Sequence, residues 1–133
     1  MPNFLPPDSP AVLLVEDDDS IRDVLAELFD VDGTDVTAVA TLEDAKRALG
    51  RRTFDLIVTD LNLAGKRDGG LQVMAAAGIL STDAPIIVLT AFPDEANRSA
   101  SHRLGATYFL EKPADLAAIA TLATRHGVRT AMG

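Results

Sequence analysis

Acidic side chains are concentrated at one point near the start of the chain. The run EDDD at residues 16–19 follows the apolar run AVLLV at residues 11–15, and no basic residue precedes Arg22. Neighbouring carboxylates raise one another's pKa unless a cation lies among them. Two explanations are open. The acids are the solvated start of a helix, where the positive end of the helix dipole stabilises them, or they bind a positively charged group.

Three further reactive side chains stand at or near the ends of apolar runs. DLIVTD ends in Asp60, APIIVLTA contains Thr90 next to its end, and TYFLEK ends in Lys112. Carboxylates without cysteine or clustered histidine suit Mg²⁺ or another hard divalent ion, which commonly recruits phosphate oxygens. With such an ion, Asp60 could be an aspartyl-phosphate nucleophile, while Thr90 and Lys112 would bind the remaining phosphoryl oxygens.

The apolar runs have the length of β-strands, and several are rich in β-branched residues. We predict strands at 11–15, 35–40, 55–60, 84–91 and 107–112. Amphipathic segments between them predict helices at 20–29, 42–50, about 70–80, about 94–104 and 114–126. Ser20 or Asp19 is expected to cap the first helix. Glycines are expected to mark helix ends at Gly33, Gly50, Gly105 and Gly127.

This alternation predicts an α/β fold, namely a doubly wound five-stranded parallel sheet with five helices on its two faces. We expect the strand order 2-1-3-4-5, which places the carboxyl ends of strands one, three, four and five next to one another. Ligands bind beyond the carboxyl ends of the strands in such sheets. Each polar residue alone has a structural explanation, since Asp60 could end a strand, Thr90 could be a core hydroxyl and Lys112 a surface charge. Their occurrence at the same end of successive strands favours a binding site that also includes carboxylates of the acidic run at residues 16–19.

The composition restricts the class of protein. Twelve basic and twenty acidic residues among 133 give a net charge of −8, which argues against a nucleic-acid surface and favours cations or basic partner surfaces. The lack of cysteine excludes disulfides and thiolate metal sites. No apolar run approaches the roughly 20 residues of a membrane span and no signal-peptide pattern occurs, so we expect a cytoplasmic protein without membrane contact. Four prolines predict that residues 1–10 are a disordered lead-in.

Four segments together resemble the response-regulator receiver family of two-component signalling. LLVEDDDSIR is similar to the opening strand and acidic pair of that family, DLIVTDLNL to its phosphoacceptor strand, PIIVLTA to its threonine strand, and GATYFLEKP to its lysine–proline motif. The resemblance covers residues 11–126. It implies one receiver domain of the flavodoxin-like fold, followed by a C-terminal tail at 127–133.

The resemblance implies a role for each acidic residue of the predicted site. Glu16 and Asp17 would be the acidic pair, with Asp17 binding Mg²⁺ directly and Glu16 acting largely through water. Asp60 would accept the phosphoryl group and would also bind the metal, together with the backbone carbonyl of Asn62. The other polar residues of the opening run are better explained as the start of the first helix: Asp18, Asp19 and Ser20.

The same resemblance assigns the remaining residues. Thr90 and Lys112 would bind the phosphoryl group through a hydroxyl and an ammonium. Phe109 would be the aromatic residue whose rotamer responds when Thr90 moves, while Tyr108 would point the other way. Phe92, two residues after the threonine, could shield the phosphoryl group from water and slow its hydrolysis.

The implied function is a phosphorylation-controlled switch. A sensor histidine kinase or a histidine phosphotransferase would phosphorylate Asp60, and a downstream protein would bind the face formed by the last two helices and the fifth strand. The chain would catalyse only its own phosphoryl transfer and dephosphorylation, as a monomer or a phosphorylation-dependent dimer. Two alternatives are a phosphorylation-independent interaction module and an aspartyl-dependent phosphohydrolase, although Asn62 stands where such hydrolases usually have a second acid.

Overall fold

Five strands alternate with five helices in the part of the chain that the structure describes. The computed structural model describes residues 9–63, 69–80 and 83–132, so most of the predicted lead-in and residues 64–68 of the loop after the third strand lie outside the described residues. The strands are β1 (Ala11–Val15), β2 (Asp35–Val39), β3 (Leu56–Asp60), β4 (Ile86–Thr90) and β5 (Tyr108–Glu111). The helices are α1 (Asp19–Phe29), α2 (Leu42–Arg51), α3 (Gly69–Leu80), α4 (Glu95–Arg103) and α5 (Leu116–Arg125). None of the helices in these ranges is long and apolar enough to cross a membrane.

The strands form one parallel sheet in the order β2-β1-β3-β4-β5, which confirms the predicted topology. Every residue of β1, β3 and β4 is buried, whereas the edge strands β2 and β5 are partly exposed. The central strands lack in–out alternation because helices cover both of their faces.

Side chains alternate between two apolar layers, as successive residues of a strand point to opposite faces of a sheet. Leu13 belongs to the layer that packs against α2 and α3, which also contains Met74, a residue with no exposed surface. Leu14 belongs to the layer that packs against α1 and α5, which includes Phe29 and Ile119. The sheet is therefore held on both faces, and its strand ends are fixed in relation to one another.

Several helix ends differ from the prediction by one or two residues, and α5 spans Leu116–Arg125 instead of 114–126. Asp18 caps α1, since its side chain accepts a hydrogen bond from the Ile21 N–H at 3.0 Å, and the predicted caps Ser20 and Asp19 lie inside the helix. Gly50 does not end α2, which continues to Arg51, and Gly33 does not mark the end of α1, which ends at Phe29. A cap residue must have an extended backbone, and residue type alone does not show which of several adjacent polar residues has one.

Two other glycines confirm the prediction. Gly105 and Gly127 follow α4 and α5 with φ angles of 97° and 77°, a left-handed conformation that glycine adopts without steric cost. After Gly127 the chain stays on the core, where Val128 is buried and the Ala131 N–H donates to the Leu28 carbonyl at 2.7 Å.

Candidate functional site

Three carboxylates meet where β1 and β3 end. Glu16, directly after β1, is fully buried, Asp60 at the end of β3 is 5% exposed, and Asp17 is exposed. One carboxylate oxygen from each of the three lies within 4.8 Å of the others. The register explains this, because Val15 at the end of β1 pairs with Thr59, so that the residues that follow them, Glu16 and Asp60, lie at the same edge of the sheet. Such a group of oxygen ligands suits a hard divalent cation.

The ammonium of Lys112 lies against the two buried carboxylates. It donates to Glu16 Oε1 at 2.7 Å and lies 3.2 Å from Asp60 Oδ2. Burial opposes its charged form, but the hydrogen bond to Glu16 and the charge of Asp60 outweigh burial and raise the pKa of Lys112 above its usual 10.5. The lysine is therefore a permanent cation between the two acids, and Glu16 is a partner that the sequence did not predict for it.

The Asp60 carboxylate is costly to ionise. Burial, and then the negative charge of Glu16, raise the pKa of Asp60 from 3.8 to about 7. Lys112 and the Asn62 N–H, which donates to Asp60 Oδ1 at 3.2 Å, lower the pKa without cancelling this effect. One ammonium is thus not enough to neutralise the acidic cluster, and the donor set fits an additional divalent cation.

Asn62 and Thr90 also lie at this edge of the sheet. The structure shows Asn62 as a backbone donor to Asp60, while the role of its carbonyl as a metal ligand stays a prediction. Thr90 ends β4 and is fully buried, and its Oγ1 accepts the Phe92 N–H at 2.9 Å. The hydroxyl hydrogen of Thr90 is left to donate to another group.

Phe109 and Tyr108 lie on opposite faces of the sheet, as predicted. Phe109 packs with the layer on the α2 and α3 side, and the guanidinium of Arg98 in α4 lies 4.8 Å from the centre of its ring. Tyr108 packs on the other side, and its hydroxyl is hydrogen-bonded to His126 Nε2 at 2.8 Å. The sequence contained no signal for either partner, because both contacts depend on how a helix packs on β5.

Gly70 is a supporting residue that sequence reasoning missed. Its N–H donates to the Leu61 carbonyl at 2.8 Å, next to Asp60 in the chain. A Cβ at this position would lie 2.6 Å from Leu61 Cα and 2.8 Å from the Leu61 carbonyl oxygen. Only glycine lets α3 approach the backbone of the site so closely. The glycine pair at 69–70 was the available signal, but it indicated only the start of a helix.

Asp18 and Asp19 do not belong to the described cluster. Asp18 caps α1, and Asp19 pairs with Arg22 at 2.5 Å while its side chain stays 85% exposed. Arg22 also donates to the Glu16 carbonyl at 3.0 Å, which ties the first turn of α1 to the end of β1. The opening acidic run therefore divides into two residues at the site and two at the helix start.

Comparison with known proteins agrees with this geometry. The family model described as response regulator receiver domain matches residues 12–124. The regulatory protein VirG of Agrobacterium fabrum is 37% identical over 103 residues, which cover 77% of this chain and 40% of VirG. This chain therefore spans less than half of that relative.

Solved structures show the same fold. A response regulator from Burkholderia pseudomallei, solved with a phosphorylated aspartic acid, a calcium ion and citrate, is 30% identical with a TM-score of 0.76 over 86% of this chain and 65% of that chain. A CheY-like receiver domain from Methanospirillum hungatei, at 22% identity and a TM-score of 0.80, covers 87% of this chain and 91% of that one. The chain belongs to the response regulator receiver domain family of two-component signalling proteins.

Proposed function

We propose that this chain is a switch that is controlled by phosphorylation of Asp60 in the presence of Mg²⁺. The observation that supports the proposal is the buried carboxylate of Asp60, which lies within 4.8 Å of oxygens of Glu16 and Asp17 and 3.2 Å from Lys112. A nearby cation stabilises a carboxylate whose ionised form is disfavoured. Formation of an acyl phosphate also relieves this cost, because the attacking carboxylate oxygen then forms a bond to phosphorus.

Asp60 would act as the nucleophile toward a phosphohistidine. An oxygen of the Asp60 carboxylate attacks phosphorus, the new P–O bond forms as the P–N bond breaks, and the imidazole leaves with the electron pair. Lys112 and Thr90 would donate to the phosphoryl oxygens. Asp17, Asp60 and the carbonyl of Asn62 would hold Mg²⁺, which supplies positive charge to the transferring phosphoryl group.

The hydrogen bond between Lys112 and Glu16 is the first contact that phosphorylation would change. A phosphoryl group adds about −1.5 to −2 charges at neutral pH and would compete with Glu16 for the Lys112 ammonium. The hydroxyl of Thr90 would turn toward the same group. Movement of these two residues would alter the surface formed by α4, β5 and α5, where we expect a downstream protein to bind.

The donor would be a sensor histidine kinase or a histidine phosphotransferase, since the phosphohistidine of such a protein is an activated phosphoramidate. We further propose that the chain catalyses only its own modification and the later hydrolysis, either as a monomer or as a phosphorylation-dependent dimer. Each of these statements extends the family assignment and has its own measurement. Transfer from a labelled kinase tests the donor, and the rate of phosphoryl hydrolysis by the chain alone tests its own catalysis. The molar mass of the phosphorylated and unphosphorylated chain tests the oligomeric state.

Treatment with acetyl phosphate and Mg²⁺, followed by intact-mass measurement, tests the central proposal. We expect one phosphoryl group on the wild-type chain and none on Asp60→Asn or when Mg²⁺ is chelated. A wild-type chain that is folded but gains no phosphoryl group, and does not bind beryllofluoride with Mg²⁺, would instead favour a phosphorylation-independent interaction module.

A further inference from the structure

We infer that Arg98 of α4 is a positioning residue that sets how easily the switch changes state, because it holds the ring of Phe109. The inference rests on the proposed function, in which Phe109 moves together with Thr90. By holding Phe109, Arg98 would favour the arrangement seen in the structure, in which the Lys112 ammonium is bonded to Glu16 and Thr90 accepts the Phe92 N–H.

The contact between Arg98 and Phe109 has the geometry of a cation–π interaction. The guanidinium carbon lies 4.8 Å from the ring centre, inside the range of about 6 Å in which such interactions stabilise. Phe109 pairs with Val88 in the neighbouring strand, two residues before Thr90. Arg98 on α4 therefore contacts a ring on the strand that pairs directly with β4, the strand that ends at Thr90.

The neighbour of Arg98 links the same helix to the loop after β4. The Asn97 side chain donates to the Phe92 carbonyl at 2.9 Å, and the Phe92 N–H donates to Thr90 Oγ1. Two adjacent residues of α4 thus contact the two groups that must move, namely the loop beyond Thr90 and the ring of Phe109. Rearrangement at the site cannot leave the first turns of α4 undisturbed.

Space beside the ring allows it a second position. A cleft of about 370 Å³ lies between α4 and β5 and is lined in part by Arg98, Ser101 and Phe109. The Ser101 hydroxyl is buried there without a hydrogen-bond partner among the described residues. A close-packed core would fix the ring by itself, whereas beside open space a contact such as that of Arg98 decides its position.

The test is a double-mutant cycle on the apparent affinity for beryllofluoride in the presence of Mg²⁺, measured by titration calorimetry. Removing the contact in Arg98→Ala should raise the affinity two- to five-fold, which corresponds to about 0.5–1 kcal/mol. Arg103→Ala removes the same charge from an exposed position on the same helix and should leave the affinity unchanged. In a Phe109→Leu background, Arg98→Ala should have no effect.

A second measurement reports on the ring itself. The chain contains five phenylalanines, so 4-fluorophenylalanine gives five ¹⁹F signals, and Phe109→Leu assigns one of them. Arg98→Ala should shift the Phe109 signal toward its position in the beryllofluoride complex, and Arg98→Lys should shift it less. Equal effects of Arg98→Ala and Arg103→Ala, or an Arg98→Ala effect that persists in Phe109→Leu, would overturn the inference. A wild-type chain that does not bind beryllofluoride would refute the proposed function and the inference with it.

Discussion

Replacement of Asp60 by asparagine should stabilise the metal-free protein at mildly alkaline pH, although the residue is the centre of the proposed site. The folded-state pKa of Asp60, about 7, lies above the usual 3.8. A raised folded-state pKa contributes stability that is fully present below the unfolded-state value and is lost as pH rises through the folded-state value. The ionised carboxylate is therefore a cost to the folded state at about pH 8, and a neutral amide of similar shape removes it.

The size of the effect follows from the same pKa. The difference between 3.8 and about 7, at about 1.4 kcal/mol for each pH unit, corresponds to about 4 kcal/mol when Asp60 is fully ionised. Relaxation of the site and entry of water reduce such costs, so we expect Asp60→Asn to raise the free energy of unfolding by about 2–4 kcal/mol at about pH 8. Below about pH 4 the gain should vanish, because the wild-type carboxyl is then protonated in the unfolded chain as well as in the folded protein.

Equilibrium urea unfolding, followed by far-ultraviolet circular dichroism at several pH values, measures this difference. Asp23→Asn is the matched control, since it removes the same charge from an exposed position in α1 and should change stability by less than about 0.5 kcal/mol. Millimolar Mg²⁺ should stabilise the wild-type chain at about pH 8 and leave Asp60→Asn almost unchanged. An Asp60→Asn protein that is no more stable than wild type at that pH, or a gain that is independent of pH, would refute the electrostatic argument.

Three further predictions concern individual residues of the site. Asp17→Ala should abolish Mg²⁺-dependent modification by acetyl phosphate, whereas Asp19→Ala, which loses only an exposed ion pair, should keep it nearly intact; equal loss in both would contradict the division of the acidic run. Gly70→Ala should lower the free energy of unfolding by about 1–3 kcal/mol through overpacking, while Gly78→Ala, in open space on the same helix, should raise it by up to about 1 kcal/mol. Urea unfolding of the pair checks this, and a harmless Gly70→Ala would show that α3 can move away. Phe92→Ala should shorten the lifetime of the phosphoryl group if its 64% exposed side chain limits access of water, and an unchanged decay rate would dispose of that role.

Much of the fold and most of the site could be predicted because the signals were local. Short apolar runs that alternate with amphipathic segments define a parallel sheet with covered faces, and the structure has each of the predicted strands and helices. The site followed from one topological rule, since polar residues at the carboxyl ends of neighbouring strands must lie together. Errors concerned the bounds of the elements, for example at Asp18 and Gly50, where hydrogen bonding decides between adjacent residues.

The sequence by itself therefore determined the order of the elements, the topology of the sheet and the residue types at the carboxyl ends of its strands. Only the tertiary structure decided that Lys112 pairs most closely with Glu16, that Asp60 is buried enough to raise its pKa, that Gly70 must lack a side chain, and that Arg98 covers the ring of Phe109. These features join residues from different elements and depend on burial and on distances between side chains. Such quantities follow from packing, and local periodicity contains no record of them.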